Sequence, residues 1–111
     1  MSEEFIGGVV AWFDPVKIKG MALTEDGRAH CFDSRNLSEQ LQETGVSESH
    51  IVALEMNWRN GTPLIRTVHA PTREEAAQWE PVLHEVYEDN AMRMALVKAD
   101  RRRTGFMNSR R

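Results

Sequence analysis

The densest chemistry in this 111-residue chain is cationic: Lys98, Arg101, Arg102, Arg103, Arg110 and Arg111 lie in its last 14 positions against a single acid, Asp100. Each phosphate neutralised by such a group releases a counterion, so the cluster has the form of a polyanion contact; a solvated tail is the other reading. The rest of the chain is acidic. Residues 1–70 carry a net −4, residues 71–97 another −4 and residues 98–111 a net +5, within a formal total of −3. If the body binds nucleic acid, its affinity must come from something other than bulk charge.

Nucleophilic, acid–base and metal-binding groups are sparse. Cys31 is the one cysteine, which excludes an internal disulfide and, within one chain, a thiolate zinc cluster. His30 stands beside it, but His50, His69 and His84 are far off in sequence and no short ligand spacing exists, so neither a metal nor a cofactor is expected. Acids are plentiful, yet none falls in a nucleophile, phosphate-loop or metal signature, and an enzyme is not expected. Nowhere does an apolar run approach the roughly 18 residues of a membrane span, and Met1-Ser2-Glu3-Glu4 lacks the basic start of a secretory signal. The expectation is a cytoplasmic protein with no membrane contact.

These groups need a scaffold, and the pattern supplies one that is mainly β. Apolar residues at 41% and charged residues at 28% place the chain among globular proteins, with length for one domain and an appendage. Ile6 to Phe13 is rich in Val and aromatics and is closed by Asp14-Pro15; Lys17 to Thr24 follows. Asp26-Gly27 is a strong hairpin signal, with Ala29 to Phe32 as the returning strand. Ser34 to Ser49 is the long connection, where Asn36 or Ser38 could cap a helical turn. Ile51 to Trp58 sets Val52, Leu54, Met56 and Trp58 on one parity, as in a half-buried strand; Asn60-Gly61 then turns into Leu64 to His69. Five short strands with one longer connection after the third suit a small closed barrel over residues 5–70.

A helical extension over 71–100 follows. Thr72 and Glu75 form a capping box, and Pro81 predicts a break or kink near Trp79 before a second, longer helix. Leu83, Val86, Tyr87, Met94 and Val97 recur at helical spacing; this stripe either packs on the barrel or makes a dimer or partner interface. Thr104-Gly105 is expected to end any helix, leaving 101–111 as a basic, disordered tail.

The run Gly8-Val9-Val10-Ala11-Trp12-Phe13-Asp14-Pro15-Val16-Lys17, then Gly20, Glu25-Asp26-Gly27, Phe32 and Ser34, resembles the opening half of cold-shock domains. Val52-x-Leu54-Glu55-Met56 and Gly61-x-Pro63 with Val68 look like that family's fourth and fifth strands, so the resemblance covers about residues 7–68. It implies a five-stranded barrel of the oligonucleotide-binding (OB-fold) type, with two ribonucleoprotein motifs on neighbouring strands that stack single-stranded bases. The chain departs from both motifs. Lys17-Ile18-Lys19-Gly20-Met21 stands where the first has Lys-Gly-Phe-Gly-Phe, so Lys19 and Met21 replace two aromatic platforms. Ala29-His30-Cys31-Phe32-Asp33 stands where the second has Val-Phe-Val-His-Phe, and Ala11 takes the place of a lysine.

What the resemblance leaves is a platform of Trp12, His30 and Phe32 flanked by Lys17 and Lys19, with Asp33 set to repel a nearby phosphate. Aromatic faces bind single strands with little sequence preference, at about 1–3 kcal/mol per stacked base. The leading expectation is therefore a binder of single-stranded RNA or DNA, with Arg101, Arg102, Arg103, Arg110 and Arg111 holding phosphates. Each ring has an alternative role in packing: Trp12 as a core or rim residue, Phe32 as core. Trp58 and Trp79 are assigned to packing. The alternative function is a protein-binding adaptor or inhibitor that keeps the barrel and has traded the nucleic-acid face for a partner surface.

Overall fold

A computed structural model describes the backbone of residues 5–109 and the side chains of residues 5–96. Strands β1 (Phe5–Asp14), β2 (Lys19–Thr24), β3 (Ala29–Asp33), β4 (Ile51–Arg59) and β5 (Thr62–His69) form one antiparallel sheet in the order β3-β2-β1-β4-β5. β1 is long enough to serve both halves: its first half pairs with β4 from Phe5↔Glu55 to Val9↔Ile51, its second with β2 from Gly8↔Thr24 to Asp14↔Lys19. The sheet then curls until its edges meet. Leu37 bridges Val68 in parallel, Val68 N–H donates to the Asn36 carbonyl (2.7 Å) and Ser38 N–H to the Val68 carbonyl (2.9 Å). The Asn36 side-chain amide donates to the carbonyls of Ile65 and Arg66, both at 3.1 Å. One asparagine thus satisfies backbone acceptors of β5 at the seam, and the barrel is nearly closed.

Of the two cap candidates, Ser38 takes the role. Its hydroxyl accepts from Leu41 N–H (3.3 Å) at the start of the short α1 (Glu39–Thr44), which leaves Asn36 for the seam. Both hairpin signals turn as expected. At Asn60-Gly61 both residues have positive φ (52° and 78°), the geometry whose twist matches paired strands.

Inward parity is occupied by Val10, Ala22, Phe32, Val52, Leu54, Ile65 and Val68, with Leu37, Leu41 and Val46 of the long connection closing one end. The outer parity is apolar in the middle as well. Val9 and Leu23 lie outside the barrel yet are only 1% exposed, because α2 (Arg73–Ser109) lays Trp79, Leu83, Val86 and Tyr87 across them. The same cover explains why Ala53, on the parity the sequence assigns to solvent, is buried.

Thr72 and Glu75 form the expected capping box, each side chain accepting from the other's backbone N–H (3.1 and 2.9 Å). One helix then spans both Pro81, where a break or kink is expected, and Thr104-Gly105, where its end is. Proline removes the bond to the carbonyl four residues earlier, that of Ala77; Ala77 and Pro81 are both exposed, so water can take the vacated acceptor and the helix can continue. Helical bounds reach Ser109 where the sequence suggests a disordered tail. The described helix is not long and apolar enough in any stretch to cross a membrane.

Candidate nucleic-acid interface

Strand parity decides where the expected platform goes. In the β2–β3 register Gly20 faces Phe32, Met21 faces Cys31 and Ala22 faces His30. Gly20 and Ala22 are inward, so His30 and Phe32 are too. Phe32 is 3% exposed and lies parallel to Phe13, ring centroids 6.2 Å apart and planes 12° from parallel. It fills the core and has no face for a base, which corrects its place in the platform. Trp12, by contrast, follows a bulge in β1 between Val10 and Trp12 and points outward, 39% exposed, opposite Met21.

The outer face around Trp12 is thin in rings and mixed in charge. Across β1, β2 and β3 it presents Trp12, Met21 and Cys31 in one row and Asp14, Lys19 and Asp33 in the next. Lys19 therefore sits between two carboxylates. Asp14 accepts from Val16 and Lys17 N–H (2.9 and 3.2 Å), and the backbone bonds, Lys17 first, hold its pKa below the ordinary value. Asp33 is held low mainly by the Arg35 guanidinium at 2.9 Å. Both stay ionised through neutral pH and oppose a phosphate near Lys19. Lys17 is exposed in the β1–β2 turn, close enough to Asp14 to stabilise its charge. One row further along, the face disappears under α2.

His30 lies elsewhere, in the open mouth of the barrel between the β2–β3 and β4–β5 hairpins. A cleft of about 570 Å³ there is lined by Ile6, Met56, Trp58 and Pro63 on its apolar side and by Thr24, Asp26, Arg28 and His30 on its polar side. The Thr24 hydroxyl lies between Asp26 (2.5 Å) and His30 Nε2 (3.4 Å), and Asp26 also accepts from Arg28 N–H (3.1 Å). These contacts, the Thr24 hydroxyl first, hold the Asp26 pKa below its ordinary value.

Trp58, assigned to packing from sequence, is 68% exposed in this cleft. Among the described residues the β1–β4 ladder runs from Phe5↔Glu55 to Val9↔Ile51, and Met56–Arg59 pair with β5. Parity gives the side of a strand, and it does not tell whether that side is roofed. Among the described residues no three His, Cys, Asp or Glu side chains gather to hold a metal.

Leu83 (2% exposed), Val86 and Tyr87 of the apolar stripe are committed to the barrel, so they offer no interface; Met94 is 47% exposed. Val97 and the side chains of Arg101, Arg102, Arg103, Arg110 and Arg111 lie outside the described residues. No family model matches this chain, and no curated protein matches it.

Proposed function

We propose that this chain is a non-catalytic protein-binding module, an adaptor or inhibitor, built on a cold-shock-like barrel of the oligonucleotide-binding type that has given up its base-stacking face. The motif resemblance over residues 7–68, together with the strand order and the closure of β3 onto β5, supports the barrel type. The observation that supports the function is the dispersal of the platform: Phe32 is core, His30 is in the mouth, and α2 covers the outer face beside Trp12. Stacking needs several rings on one open surface, and here one remains.

The partner surface is the mouth. Trp58 stands exposed against Ile6, Met56 and Pro63, with Arg28 and His30 at the rim, an apolar hollow with a few polar groups that suits an anchoring side chain of another protein. A fluorescence-anisotropy titration with a short pyrimidine-rich oligonucleotide at low salt tests the reading. No binding is expected; binding that Trp12→Ala removes would overturn it.

One observation favours a second reading. Trp12 is exposed on the outer face near Lys19, and the sequence ends in basic clusters, as weak single-strand binding would use them. On that reading affinity falls with salt, and deletion of residues 101–111 flattens the dependence.

A further inference from the structure

The mouth of the barrel is bordered by two strand edges of different kinds. Along a paired strand, alternate residues turn their N–H and C=O groups to opposite neighbours. Thr24 N–H donates to the Arg28 carbonyl (3.0 Å) where the β2–β3 pair begins, so Arg28, His30 and Phe32 turn their backbone groups to β2, and Ala29, Cys31 and Asp33 turn theirs to the outer edge. Asn36 fits this phase: its side-chain oxygen accepts from Asp33 N–H and its backbone N–H donates to the Asp33 carbonyl, both at 2.9 Å. Ala29 and Cys31 have no such partner among the described residues, because β3 is an edge strand and no described loop bonds to it there.

The facing edge is blunted. At the two-residue turn Asn60-Gly61 the flanking Arg59 and Thr62 bond each other, so Thr62 and Leu64 serve β4 while Pro63 and Ile65 face the other way. Pro63 has no N–H to offer, and the Ile65 carbonyl already accepts from the Asn36 side chain. The seam is therefore filled by the Asn36 segment at one end and open at the other, where the 570 Å³ cleft separates Arg28 and His30 from Met56, Trp58 and Pro63. The rim favours cations. Glu25 lines the cleft with no cationic partner among the described residues, Asp26 has only the exposed Arg28 at 3.6 Å, and residues 5–96 carry eight Lys and Arg against fourteen Asp and Glu, a net −6.

We propose that the protein partner lays an extended segment antiparallel along the β3 edge, exchanging backbone hydrogen bonds with Ala29 and Cys31, with one apolar side chain in the cleft and a basic side chain at Glu25. This rests on the mouth being the partner surface. An unpaired edge is a template for a further strand, and a peptide backbone supplies donors and acceptors in the matching register. Every strand pair of this sheet is antiparallel, and the added one continues the pattern. In that sense the partner residues opposite Ala29 and Cys31 make the bonds and face outward, and the residue between them, opposite His30, turns inward to Ile6, Met56 and Trp58.

The probe is the peptide acetyl-Arg-Thr-Leu-Thr-Arg-amide, titrated into the isotope-labelled full chain and followed by NMR. The Trp58 indole N–H resonance reads entry into the cleft, and amide hydrogen exchange at Ala29 and Cys31 reads strand formation. The indole is expected to shift, and the two amides to pass from open exchange to protection. Methylating the backbone nitrogens of both threonines should abolish that protection, methylating the leucine nitrogen should leave it, and Glu25→Lys should weaken binding several-fold. An indole that shifts while Ala29 and Cys31 exchange as before would overturn strand addition and leave the mouth as the partner surface. Protection lost with the methylated leucine and kept with the methylated threonines would overturn the antiparallel sense. No response at either probe, up to peptide on the order of millimolar, would overturn the inference and the reading beneath it together.

Discussion

Tyr87 is the single tyrosine of the chain and the polar fastener between α2 and the segment entering β4. Its phenol donates a hydrogen bond to the Glu48 carboxylate, and that bond, followed by burial and by the carboxylate's charge, raises its pKa above the ordinary 10.0. A raised folded value means that the contribution to stability is complete below the unfolded pKa near 10.0 and is lost as pH climbs through the folded value. Ultraviolet titration of the phenol reads this one group without overlap. It is expected to ionise above 10.0 in the intact protein and to return toward that value in Glu48→Gln, where the charge opposing the phenolate is gone. An unshifted midpoint in the intact protein would mean that the fastener is not formed. Single residues such as Phe32 show why the candidate site was only partly legible: its type fits a platform and a core equally, and only the register against Gly20 chooses between them.

At the scale of elements, docking of α2 depends on the approach of Trp79 to β1. A Cβ added at Gly7 would stand 2.6 Å from ring atoms Cγ and Cδ2 of Trp79, a distance that neither rigid group can absorb. Gly7→Ala is therefore expected to cost about 1–3 kcal/mol, read as a lower urea midpoint. The same substitution in a Trp79→Ala background should cost much less, and equal costs in the two backgrounds would separate Gly7 from helix docking. The elements themselves were largely legible, because hairpin glycines, strand alternation and a capping box are local signals. Continuity through Pro81 was not, since it turns on Ala77 and Pro81 both facing water, a property of where the helix docks.

For the whole molecule, the question is which parts of the chain share one folding unit. Sequence periodicity divides it at Pro71, barrel before and helix after. Packing divides it later: Val9, Leu23 and Ala53 on the barrel's outer side stay dry because the helix as far as Tyr87 covers them, whereas Ala91–Leu96 are all exposed. That difference was hidden in sequence because Met92, Met94 and Leu96 are as apolar as Leu83, and only the end of the barrel beneath them distinguishes the two stretches. Truncation makes the boundary measurable. A chain ending at Leu96 is expected to keep the urea stability of the intact protein within about 0.5 kcal/mol, since exposed residues away from packing contribute little. One ending at Thr72 exposes the whole outer cluster and should lose more than Leu83→Ala alone, itself about 2–5 kcal/mol for a buried leucine. Equal stability of the two truncations would return the boundary to Pro71 and make the helix an appendage.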